Sequence, residues 1–155
     1  MKARVLFASV VLSAIPLIAM ADRPSDPAHG YWLTENRKAI VQLAPCGADT
    51  CGRMVWVANP IDQAGRLKRD DKNSEAAKRA RSICGLELVG GLRKTDDGTW
   101  QDGWLYNPRS GETFSAEVRA LSQSELEVRG YLGVPVLGKS QVWTRVGDDR
   151  GGCSL

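Results

Sequence analysis

The chain has 155 residues, 43% hydrophobic and 25% charged, with 21 Lys/Arg, 18 Asp/Glu and one His. Two of the basic residues, Lys2 and Arg4, lie in an N-terminal leader without acids, which leaves 19 basic against 18 acidic residues in the rest. That near-neutrality excludes the electrostatic footprint of a nucleic-acid-binding protein. The 155 residues less a 21-residue leader suit one domain with a real core.

Residues 1–21 read as a Sec-type export signal. A short basic start precedes an apolar run, Val5 to Ile18, broken only by Ser9, Ser13 and Pro16. Ala19-Met20-Ala21 then offers the small residues read by a signal peptidase, with cleavage after Ala21. The run falls short of the roughly 20 apolar residues of a membrane span. The mature chain is therefore expected in the periplasm or secreted, with no stable membrane span. Residues 22–29, with Pro24 and Pro27, read as a flexible lead-in.

The body of the chain, residues 30–146, reads as strands. Residues 30–34 form the first, and Lys38 to Ala44 alternates Ala39, Val41 and Leu43 against Lys38 and Gln42. Gly52 to Ala58 is β-rich and would place Met54 and Trp56 on one face. With the turn between Cys46 and Cys51 these two runs make a hairpin. A polar insertion, 59–82, follows. Its second half, capped by Asn73 or Ser74, can form a short helix. Its mixed charges read as a solvated loop, with a lid over a pocket mouth as the functional alternative. Asp70, Asp71 and Asn73 lack the ligand spacing of a calcium loop.

Five more runs come quickly: Leu86 to Arg93, Thr99 to Tyr106, Glu112 to Ala120, a run around Leu126 and Val128, and Lys139 to Val146. Residues 147–155 form a C-terminal tail. Short connections favour antiparallel neighbours. Closure removes the sticky edges that an open eight-stranded sheet would leave. The fold class is therefore all-β, a single small antiparallel eight-stranded barrel with one insertion. The interior of such a barrel is just filled by side chains or holds one small ligand.

Cys46, Cys51, Cys84 and Cys153 allow three pairings. Cys46–Cys51 across the turn is favoured, leaving Cys84–Cys153. Loop closure would contribute about 2 kcal/mol for the short bridge and about 4 for the long one. A zinc site has the wrong spacing, and His29 is remote in sequence.

Trp32 and Trp143, with Gly30 and Arg145, suit structural closure, because a guanidinium can lie over an indole face. Asp102 alternates with Trp100, Trp104 and Tyr106. If that face points inward, Asp102 could meet a polar ligand group among aromatics. These four and Trp56 are the candidate ligand-binding residues. Glu117 and Arg119 can pair across strands with Arg129 and Glu127, contributing about 0–1 kcal/mol per exposed pair. His29 reads as an exposed loop residue. No nucleophile motif or phosphate loop accompanies it, so no catalytic residue, cofactor or metal is expected.

Gly30-Tyr31-Trp32 together with Arg145 resembles the lipocalin/calycin pattern, in which the tryptophan closes the barrel floor and the arginine packs across it. A fuller resemblance, from about Gly30 to Arg145, is to the bacterial family "domain of unknown function 2147". It rests on Gly30-Tyr31-Trp32, Pro45-Cys46-Gly47 with Cys51-Gly52, and Val55-Trp56-Val57. Asp71-Lys72-Asn73, Gly85-Leu86, Trp100 with Gly103, and Tyr106-Asn107-Pro108 with Gly111 continue it. Arg129-Gly130-Tyr131-Leu132-Gly133 and Gln141-Val142-Trp143-Thr144-Arg145 complete it. Ser74 stands where the family commonly has proline. The resemblance implies a small exported lipocalin-like barrel, and implies neither a catalytic residue nor a ligand.

The expected function is non-catalytic binding of a small, partly apolar molecule in the cell envelope. The alternative is an envelope protein–protein interaction module with a filled barrel, and an enzyme of unknown type comes third.

Overall fold

A computed structural model of the chain describes residues 26–148 and Cys153. The leader, residues 22–25 and most of the tail lie outside the described residues. Eight strands follow in order: β1 (Gly30–Leu33), β2 (Ala39–Cys46), β3 (Asp49–Val57), β4 (Glu87–Lys94), β5 (Thr99–Asn107), β6 (Glu112–Ala120), β7 (Glu125–Tyr131) and β8 (Lys139–Val146). Each pairs antiparallel with its chain neighbour, and β8 pairs back to β1, closing the barrel. Every strand edge is thereby satisfied without a covering element.

Alternation along the strands sends one set of side chains inward. Trp32, Val41, Val89, Ala116 and Leu126 are fully buried, and Leu43, Trp100, Val118 and Val128 nearly so. All belong to one apolar cluster. This stretch of the lumen is filled by its own side chains. Gly52 and Gly103 leave room for that packing, since a Cβ at Gly103 would lie 2.6 Å from the Leu92 side chain.

The lower end is sealed by the residue pair that brackets the body. Trp32 and Arg145 are register partners across β1 and β8, and the guanidinium carbon sits 4.1 Å from the indole centroid. The guanidinium also donates to the carbonyls of His29 (2.8 Å), Pro27 (2.6 Å) and Gln123 (2.5 Å). Gly30 makes room for it. Its φ is +137°, and a Cβ there would fall 2.4 Å from Arg145 Nη1. The expectation of a flexible lead-in fails for residues 26–29. Ala28 is buried, and its carbonyl accepts from Trp32 Nε1 at 2.8 Å.

Both disulfides form as Cys46–Cys51 and Cys84–Cys153. The short helix expected in the insertion is only a 3-10 turn, Ala76–Lys78. The surrounding backbone is committed elsewhere: Arg81 accepts from the amide of Asp70, and Asp70 accepts from that of Asn73. Too few residues remain to offset the cost of nucleating an α-helix. A second 3-10 turn, Pro135–Leu137, joins β7 to β8.

Two bulges overturn expected faces. Trp100 pairs with Val118 and Gly103 with Ala116, so Trp100 and Gly103 share the inner face although three positions apart. Asp102, at φ +60°, is where the extra residue is absorbed. A bulge of this kind reverses the alternation beyond it. A second shift, at Ile40/Val41, sets Ile40 opposite Trp56 and Val41 opposite Met54.

Candidate functional site

The five candidate ligand residues do not converge. Trp100 points into the packed core, 1% exposed. Asp102 is exposed and pairs with Arg93 at 3.0 Å. Trp104 lies on the outer face, with its ring covering Gly90, where a Cβ would meet it at 2.5 Å. Tyr106 also faces outward, two residues further along. Trp56 sits half-buried opposite Ile40. Strict alternation cannot reveal this scatter, because it assumes no extra residue in the strand. His29 is half-buried rather than exposed, with Nε2 at 3.0 Å from Thr50 Oγ1.

Tyr106 is nonetheless buried, because the insertion packs over it. Its hydroxyl donates to Asp70 Oδ1 at 2.5 Å and accepts from Asn73 Nδ2 at 3.0 Å. Asn73 Nδ2 also donates to Asp70 Oδ2 at 2.8 Å, and the Arg81 guanidinium donates to the same oxygen. Asp70 is wholly buried, while Arg81 keeps part of its side chain in water. Burial first, and the Asp70 carboxylate second, push the Tyr106 phenol above its ordinary value. The turn at 108–111 clamps the same segment: a Cβ at Gly111 would fall 1.9 Å from the Lys72 carbonyl oxygen. The motifs around Asn73 and around Tyr106 to Gly111 are therefore two halves of one docking contact. Asp70 and Arg81 carry it too, and sequence reasoning missed them. No local signal marks them, because the contact joins residues 36 positions apart in the chain.

This docking leaves a groove between the insertion and the β5–β6 turn. It has a volume of about 510 Å³ and is lined by Asp62, Arg66, Leu67, Lys68, Arg69, Asp71, Ile83, Pro108 and Arg109. Asp62 is consumed locally. It accepts from the amides of Ala64 and Arg66 and pairs with the Arg66 guanidinium at 3.1 Å. The Arg66 amide is the main cause that holds its carboxyl below the ordinary range. Lys68, Arg69 and Arg109 have no carboxylate within ion-pair distance among the described residues. Leu67, Ile83 and Pro108 supply apolar wall. The lining thus sets Lys68, Arg69 and Arg109, and the carboxylate of Asp71, beside an apolar wall. No group of His, Cys, Asp and Glu among the described residues could hold a metal ion.

Residues 30–145 match the family described as "Uncharacterized protein conserved in bacteria (DUF2147)". The chain belongs to that family. A solved structure described as "Protein HP1028 from the human pathogen Helicobacter pylori belongs to the lipocalin family" is similar to it, with a TM-score of 0.68 and 22% identity, covering 78% of this chain and 84% of that one. At that identity the likeness concerns the fold: a closed, lipocalin-like eight-stranded barrel. No curated protein matches the chain. Among the described residues no helix is long and apolar enough to cross a membrane.

Proposed function

We propose that this protein is a non-catalytic, extracytoplasmic carrier of a small ligand with an anionic head and an apolar body, held in the groove between the insertion and the β5–β6 turn. The observation that carries the reading is the juxtaposition of Lys68, Arg69 and Arg109, without acidic partners among the described residues, with Leu67, Ile83 and Pro108. The groove's volume of about 510 Å³ is that of a small-ligand site. Arginines at its rim suit carboxylate or phosphate, which they can bind in bidentate fashion. The two disulfides support a place in an oxidising compartment. The leader read at residues 1–21 supports export by the Sec route.

Dansyl-undecanoate is a suitable probe, with the matching dansyl alcohol as control. The carboxylate should bind, the alcohol about tenfold more weakly, and Arg69→Ala or Arg109→Ala should each weaken carboxylate binding about tenfold. One lost charge-assisted hydrogen bond is of that size. No binding, or equal binding of acid and alcohol with no effect of either substitution, would refute the assignment. The packed lumen supports a second reading, an envelope protein–protein module with a filled barrel. A discrete crosslinked partner in cells, with no ligand bound, would favour it.

A further inference from the structure

Strand polarity gathers four connections at one end of the barrel: 34–38, 58–86, 108–111 and 132–138. They hold ten lysines and arginines against five carboxylates, a net of five positive charges. The other end, built by 26–29, 47–48, 95–98 and 121–124, holds three carboxylates and no lysine or arginine. The excess of positive charge lies in the connections of the first end; at the other, Lys94 pairs with Asp26 at 3.0 Å and the Arg145 guanidinium closes the floor.

The positive end also carries the most exposed apolar segment among the described residues. Leu132 is 64% exposed, Val134 50%, Val136 79% and Leu137 77%. Single exposed aliphatics need no explanation, but four within six residues do. The segment is braced. It winds into the 3-10 turn Pro135–Leu137, and Arg129 donates to the carbonyls of Pro135 at 2.7 Å and Val136 at 3.3 Å. Gly138 lets it lie against β7, where a Cβ would meet the Gly130 carbonyl oxygen at 2.7 Å. The backbone of the loop is thus tied to β7, with its aliphatic side chains exposed.

We propose that this end docks on an anionic lipid bilayer. The 132–138 loop places its aliphatic side chains at the acyl boundary, and the cations of the same end face the headgroups. A protein partner fits less well. Protein hot spots favour Trp, Tyr and Arg and are poor in Leu and Val, whereas this loop has only Leu, Val, Pro and Gly. The inference goes beyond the groove reading: the 132–138 loop lies outside the groove, while Arg66, Lys68, Arg69 and Arg109 line the groove and also count among the cations of this end.

The test is vesicle flotation of the chain from Asp22 to Leu155, which holds every strand of the barrel. Vesicles of equimolar phosphatidylcholine and phosphatidylglycerol are compared with pure phosphatidylcholine. Binding should be confined to the anionic vesicles. The double variant Val136→Ser/Leu137→Ser should weaken it about tenfold or more, since two aliphatic side chains stay in water. Both positions are exposed, so the variant should keep its circular dichroism spectrum and its urea unfolding midpoint. No vesicle binding, equal binding to neutral vesicles, or binding indifferent to the double variant would overturn the proposal. Capture of an acidic envelope protein by this loop, with no vesicle binding, would overturn it too.

Discussion

Arg145 does four things with one planar group: it covers the Trp32 ring and donates to three carbonyls from two separate segments. A lysine could not reproduce that fork. Truncation would strip packing from Trp32 and leave the partly buried His29 carbonyl without this donor. Arg145→Ala is expected to lower unfolding free energy by about 1–3 kcal/mol, measured by urea denaturation. A loss below about 0.3 kcal/mol would mean that the floor is held by β1–β8 pairing alone. The residue's importance could be inferred from sequence because a Gly-x-Trp at one end and Trp-Thr-Arg at the other are local signs. The three carbonyl acceptors could not be, because they depend on how residues 26–29 fold under the barrel.

The insertion shows where local pattern ends and tertiary contact begins. Its mixed charges read as solvated, yet Asp70 and Asn73 are buried against Tyr106. Tyr106→Phe would leave Asp70 Oδ1 without its phenol donor, at a cost of about 1–3 kcal/mol. It should also speed proteolysis within 59–82. A variant as stable and protease-resistant as the parent would show that the contact is incidental. The phenol's raised value gives a second readout. The unfolded chain ionises near pH 10 and the folded chain above it, so this contribution is full below about pH 10 and is lost as pH rises through the folded value. Tyr106→Phe should flatten that alkaline decline. Strand positions and the Cys46–Cys51 pair were legible, since period-two alternation and a turn between cysteines are local features, and Cys84–Cys153 followed as the pair that remained. The faces of Trp56, Trp104 and Tyr106 were not, because a single bulge residue reverses alternation and only pairing with the next strand reveals it.

At the scale of the whole molecule, the barrel is a meander whose neighbours pair in chain order except at one seam. Seven contacts between strands are local hairpins or the 58–86 crossing, and the eighth joins β1 to β8 across nearly the entire body. Loop-closure entropy makes that seam the costliest to nucleate. It is therefore expected to zip after the hairpins, with the Trp32–Arg145 contact forming on the downhill side of the barrier. Contacts absent from the transition state alter unfolding rather than refolding. Arg145→Ala should thus raise the unfolding rate by nearly the whole of its stability loss, about 5-fold or more, and leave the refolding rate within about twofold. Chevron analysis with the disulfides intact is the measurement. If refolding slows in proportion to the stability lost, the seam is part of the nucleus, and the barrel closes before its hairpins have settled.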